Sequence, residues 1–118
     1  MLEIFIILIL LQIKHWYVDF VNQDDVEVKH KGLYLHWLGI KHSFKHGIAT
    51  LLILLMFAPV NWAVGLAMVD FILHYHIDWA KMNYGNRDIT TKAFWNHLGL
   101  DQMAHQLVYI LIVGILVL

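Results

Sequence analysis

The chain has no cysteine, which excludes disulfides and thiolate metal ligands. It has one proline, Pro59, so long segments on either side can run as unbroken helices. Charge is scarce. Only 14% of the 118 residues are Asp, Glu, Lys or Arg, against about 25% in an average soluble domain. The formal net charge of −1 gives no basic excess, so no nucleic-acid partner is expected. There is no low-complexity tract. Instead 60% of residues are hydrophobic and mean hydropathy is +0.63, which points to lipid. Against that background stand nine histidines, the feature most in need of explanation.

A spanning helix needs about 20 mostly apolar residues. Four segments meet or approach that length, at residues 2–21, 42–58, 61–82 and 101–118. The early apolar run "MLEIFIILILLQIKH" lacks a basic leader and a small-residue cleavage site, so it reads as a retained helix rather than a signal peptide. Pro59 in "APVN" predicts a tight turn joining the second and third segments as an antiparallel hairpin. Gly99 interrupts "FWNHLGLDQ", and Asp101 can serve as an N-cap there. Residues 89–98 then read as a short interfacial helix, capped by Thr90 or Thr91, before the last span. The expected fold is all-α: one domain, residues 1–118, forming an antiparallel, polytopic membrane four-helix bundle.

The basic residues predict an orientation. Lys29, Lys31, Lys41 and Lys45 flank the first long connection, and Lys81, Arg87 and Lys92 flank the last; only Lys14 lies elsewhere. Both connections fall on one side of a four-span protein. The positive-inside rule puts them in the cytoplasm and both termini outside, as expected for a multi-pass inner-membrane protein. Trp16, Tyr17, Trp37, Trp79, Tyr84 and Trp95 gather toward the same side, as an interfacial aromatic belt would.

Residues four apart share a helix face. The first span ends with His15 and Asp19 in "HWYVD"; the second begins with His42 and His46 in "HSFKH". The third ends with His74 and Asp78 in "FILHYHID"; the fourth begins with Asp101 and His105 in "DQMAH". In an antiparallel arrangement all four pairs reach the same depth, just inside the cytoplasmic boundary. Ionisable residues within spans are costly and usually face the interior. These eight side chains are therefore the predicted metal ligands, enough for one crowded ion or two adjacent ones. Four-helix bundles build dinuclear sites this way. His30 and His36 read as solvated loop residues, and His76 as facing headgroups. His97 is a candidate ninth ligand or an outer partner. Lys14 and Asp70 lie deeper, and two roles are open: a Lys14–Asp70 ion pair, or Asp70 holding the second ring nitrogen of His74, which is slightly favoured. Gln23 and Gln102 are polar neighbours able to orient a water.

Imidazole plus carboxylate without sulfur suits zinc first, then iron, manganese or nickel. Dinuclear sites of this kind lower the pKa of water and clamp reacting oxygens. At a membrane boundary the expected reaction is metal-dependent hydrolysis of a lipid headgroup or another phosphoester, with Asp19 or Asp101 as the base. Membrane lipids are the expected partners, with a homodimer as a further expectation.

The motif H-x-x-x-D-F-x-x-Q in "LLQIKHWYVDFVNQ", followed by "HSFKH", "HYHID" and "LDQMAH", is similar to the DUF3307 family of small bacterial and phage membrane proteins. The likeness covers nearly the whole chain, most specifically at His15, Asp19, Phe20 and Gln23 and at Asp101, Gln102 and His105. His74 and Asp78 match the family's H-x-x-x-D, whereas in the middle pair either His42 or His46 is the matching position. This chain departs from the family pattern at Trp16, Tyr17 and Val18, where smaller or aliphatic residues are common. The family in turn resembles, distantly, membrane-bound metal-dependent hydrolases. The resemblance implies a polytopic membrane protein with His/Asp motifs and supplies no substrate.

Three other functions compete with hydrolysis. A membrane di-iron oxidase would favour H-x-x-H clusters over this aspartate-rich mixture. A structural metal could staple a small non-enzymatic membrane protein. A transporter would need polar residues toward the outer side, and residues 4–11 and 107–118 offer none.

Overall fold

The computed structural model describes residues 1–118. The fold is all-α, with no strand. Helix α1 (Leu2–Trp16) runs into a π-helical turn at Tyr17–Val21; α2 (Asp25–His30), α3 (Trp37–Leu54), α4 (Val60–Tyr84) and α5 (Lys92–Val117) follow. Of these, α3 packs on α4, α4 on α5, and α1 on both α3 and α5. Glu3, the Phe57–Pro59 turn and Leu118 line one cavity. Both chain ends and the central turn therefore share one end of the molecule, and successive long helices alternate in direction.

Local chemistry sets the boundaries. Asp24 caps α2 by accepting the Glu27 N–H at 2.8 Å. His36 caps α3 through the Leu38 N–H at 3.2 Å. Pro59 precedes α4, as its fixed φ allows. At Gly85, where α4 stops, a Cβ would lie 2.5 Å from the Lys81 carbonyl oxygen, so only glycine fits. Thr91 Oγ1 accepts the Phe94 N–H at 3.2 Å and caps α5, as expected of one of the two threonines. Leu35 has φ 62°, and its N–H donates to the Tyr75 hydroxyl at 2.6 Å, tying the α2–α3 connection to α4.

Two expected boundaries are corrected. No separate helix precedes the last span: α5 is continuous from Lys92 to Val117. Gly99 is exposed and crowds nothing, so it costs only its propensity and does not break the helix. Asp101 is consequently not an N-cap; it lies buried in the middle of α5. The second segment also begins five residues earlier than expected, at Trp37, and ends at Leu54 rather than residue 58.

By length and composition, two helical segments are long and apolar enough to cross a membrane, Leu2–Val21 and Lys92–Val117. In α3 and α4 many of the polar side chains turn inward: His42, Ser43, His46, Thr50, Asp70, His74 and Asp78 are buried. Their outer faces carry Phe44, Ile48, Leu52, Val64, Met68 and Ile72, all exposed. The polarity is thus inverted relative to a soluble protein, where Asp, Glu and Lys are almost never fully buried unless paired. A dry core of Ile7, Leu11, Leu54, Leu66, Ile112 and their neighbours fills the end near the central turn. Where α3 packs on α4, Gly47 is tightly faced; a Cβ there would meet Phe71 Cβ at 3.1 Å and push it by a few tenths of an ångström.

Candidate metal centre

The four i,i+4 pairs meet inside the bundle, on the side of its midpoint away from the central turn. Asp19 lies in the π-helical turn, where the Asn22 N–H donates to the Tyr17 carbonyl five residues back, at 2.8 Å. Such turns recur at functional sites because they re-aim one side chain. Here the turn carries Asp19 inward. All eight predicted residues are buried, each 7% exposed or less.

They form three overlapping groups: Asp19, His42, His46 and His74; His15, His74 and His105; and Asp78, Asp101 and His105. Within each group the potential ligand atoms lie within 4.8 Å of one another. His74 joins the first two groups and His105 the last two. Asp19 Oδ1 is 2.8 Å from His46 Nε2, 3.0 Å from His42 Nε2 and 3.7 Å from His74 Nε2. Its Oδ2 is 3.2 Å from His15 Nε2. Asp78 reaches His74 at 3.2 Å, His42 at 3.4 Å and His105 at 3.2 Å. Asp101 Oδ1 is 3.4 Å from His105 Nε2.

The charge pairing is uneven. Four acidic side chains in and around the cluster each have a lysine: Asp70 with Lys14 at 2.8 Å, Asp78 with Lys31 at 3.1 Å, Asp101 with Lys81 at 3.2 Å, and Glu27 with Lys45 at 2.8 Å. Asp19 has only imidazoles. A buried carboxylate is costly unless positive charge compensates it. Several polar atoms at the centre also lack a well-aligned hydrogen bond: Nδ1 of His42 and of His74 has none, and His74 Nε2, Asp78 Oδ2 and Asp101 Oδ1 have only ion-pair contacts of 3.1–3.7 Å. Unsatisfied donors and acceptors at such density are rare in folded proteins. A cation there could be held by one nitrogen of His74 together with neighbouring imidazole and carboxylate atoms.

One layer deeper, Lys14 resolves the choice left open by the sequence. It pairs with Asp70, which Thr50 also contacts, and donates to His46 Nδ1 at 3.0 Å. Asp70 does not hold His74, whose Nδ1 has no partner, so the slightly favoured alternative is corrected. The reason is reach: the flexible Lys14 stem brings its ammonium across from α1, and opposite charge captures the carboxylate. Tyr109 bonds His15 Nδ1 at 2.8 Å, and Gln102 Oε1 accepts from His15 Nε2 at 2.8 Å. Gln23 bonds only the Asp19 carbonyl, at 2.9 Å.

Four histidines stay outside. His30 stacks on His36 in the α2–α3 connection. His76 is exposed and bonded to Tyr34. His97 accepts the Asn86 N–H at 2.8 Å and is not a ninth member of the cluster. Sequence reasoning missed Glu27 and Lys31, 3% and 4% exposed, which α2 lays over the cluster. Asp24 with Glu27 three residues later was the available signal, a helix start inside an apparent loop.

Asp101 also borders a cleft of about 410 Å³ between α4 and α5, with Lys81, Tyr84 and His97. Of the two carboxylates expected to act as base, Asp101 lies buried at the edge of this cleft, while Asp19 is enclosed by imidazoles.

No curated protein and no solved structure matches this chain. A family profile described as "Protein of unknown function (DUF3307)" matches residues 7–118, nearly the full length, and the chain belongs to that family.

Proposed function

We propose that this is a polytopic membrane protein whose four long helices bury a divalent metal centre near the cytoplasmic boundary, and that the centre hydrolyses a phosphoester, a lipid headgroup being the first candidate. The observation that carries the reading is Asp19: a buried carboxylate ringed by His15, His42, His46 and His74 with no lysine or arginine beside it. A metal ion supplies the missing positive charge, and zinc suits the donor set best.

His74 is the strongest ligand candidate: its Nδ1 has no partner, and its Nε2 points between the carboxylates of Asp78, at 3.2 Å, and Asp19, at 3.7 Å, without a well-aligned hydrogen bond to either. His46 is better placed as a donor. The Lys14 ammonium fills its Nδ1, leaving the ring proton on Nε2, directed at Asp19. When bound, the metal would acidify water and polarise a phosphoryl oxygen. Asp101, at the edge of the cleft, would hold a proton released there, and Lys81 is placed to meet an anionic substrate.

The inverted polarity of α3 and α4 supports four spans rather than two, because their exposed faces are apolar and their polar groups are spent inside. The basic connections keep the orientation with both termini outside. The apolar core beyond Lys14 and Asp70 speaks against a transport path. A second reading, a purely structural metal, draws on the burial of all eight side chains, since structural sites are closed.

Elemental analysis of detergent-purified protein beside a His74→Ala, Asp101→Ala double variant tests the metal. The parent should carry one or two ions per chain and the variant far less; near-zero metal in both contradicts the proposal. Phosphoester turnover by the loaded parent then separates catalysis from a structural staple.

A further inference from the structure

The cleft between α4 and α5 has two chemically distinct ends. Ile77 and Ala80 of α4 face Leu100 and Ala104 of α5 to make an apolar wall. Lys81 and His97 make the polar end. A second cleft of about 270 Å³ adjoins it, shares Lys81 and His97, and adds Arg87. Arg87 spends one donor on the Met82 carbonyl, at 2.8 Å, and its guanidinium has others to offer.

Lys81 stands between the cleft and the metal cluster. Its Nζ is 3.2 Å from Asp101 Oδ2, and its side chain is 29% exposed while that of Asp101 is 2% exposed. Asp101 in turn lies with Asp78 and His105. The Lys81 side chain therefore borders the cavity and reaches the cluster with its ammonium.

Both ends of the cleft select its occupant. Lys81 and Arg87 favour an anion, and an ammonium with a guanidinium suits phosphate oxygens. The apolar wall runs out to Leu100, Met103 and Leu107, all half exposed on the outer face of α5. That wall favours a ligand with hydrocarbon attached. Free phosphate would use only the basic end.

We infer that this cleft binds the phosphate of an anionic phospholipid, with Lys81 as the recognition residue that brings it to the Asp101 edge of the cluster. The inference rests on the membrane reading above and names the substrate class and its route of entry. Lys81 acts by exchange: as its ammonium turns to the arriving phosphate, its hold on Asp101 loosens.

The test uses the full chain, exchanged into detergent with equal amounts of phosphatidylglycerol and phosphatidylcholine. Native mass spectrometry reads the ratio of the two lipids retained, and metal content is measured on the same samples. The parent should prefer phosphatidylglycerol. Lys81→Gln, which keeps a hydrogen bond to Asp101, should cut that preference roughly tenfold, the worth of one charged hydrogen bond. Lys81→Arg should retain it. Lys92→Gln, at an exposed lysine that opens α5, should leave it unchanged. Ala104→Phe, which fills the apolar wall, should reduce phosphatidylglycerol retention. Equal ratios in the parent and Lys81→Gln would overturn the inference, as would displacement of the lipid by an equal concentration of inorganic phosphate. Metal without lipid preference sinks this inference alone. Lys81-dependent preference without metal sinks the metal reading alone and leaves the cleft standing.

Discussion

The imidazoles of His46 and His74 stack with centroids 3.6 Å apart and planes 25° from parallel, yet their hydrogen bonding is opposite. His46 is hydrogen-bonded from both sides, by Lys14 and by Asp19, whereas His74 has no partner at Nδ1 and only an ion-pair contact with Asp78 at Nε2. Equivalent positions in the sequence pattern thus have different roles. His74→Gln should abolish most metal binding. His46→Gln, whose side chain can still donate to Asp19, should weaken metal affinity by about 10–100-fold, as loss of an outer partner does. Metal titration of the two variants checks this, and equal losses would contradict the assignment.

Removing one partner of a buried ion pair strands the other. Lys14→Met leaves Asp70 uncompensated beside Thr50 and should cost about 3–5 kcal/mol in a detergent unfolding assay. Adding Asp70→Leu should recover much of that loss, because an apolar pair of similar size avoids the stranded charge. A double variant as unstable as Lys14→Met alone would show that Lys14 acts through His46 instead.

Gly47 and Gly99 should respond in opposite directions. Gly47→Leu forces a side chain into Phe71 across the α3–α4 contact and should destabilise by about 1–3 kcal/mol. Gly99→Ala lies in an open, continuous stretch of α5 and should stabilise by roughly 0.5–1 kcal/mol. Thermal melts of both variants suffice. Destabilisation by Gly99→Ala would restore a break at residue 99.

Much of this site was legible in the sequence because helical periodicity needs no tertiary information. Four i,i+4 pairs on apolar segments, with Pro59 setting alternation, place His15, His42, His74 and His105 together. For Asp70 the sequence offered Lys14 as one of two roles without deciding between them; the partner of Asp78 was not legible. Lys31 reaches it through a long flexible stem, which spacing along one helix does not encode. The cover formed by α2 was hidden because Asp25–His30 is too short and too polar to register as a helix. The expected break at residue 99 failed for a related reason: glycine lowers helix propensity by about 1 kcal/mol, and the packing of Asp101, His105 and Tyr109 outweighs it.

If the metal joins the four helices, its removal should loosen all of them. Ligand-linked stability rises with free metal concentration, so chelation should lower the midpoint of unfolding and added zinc should restore it in proportion to its concentration. His74→Ala should melt at the same temperature with and without chelator. A parent protein indifferent to chelator would argue against a metal shared among the helices.

The most direct measurement is X-ray absorption at the metal edge on the purified protein. Nitrogen and oxygen scatterers at about 2.0–2.2 Å, with the multiple-scattering pattern of several imidazoles that diminishes in His74→Ala, are the expected result. Absence of a bound metal, or a bound metal without imidazole scattering, would contradict the account.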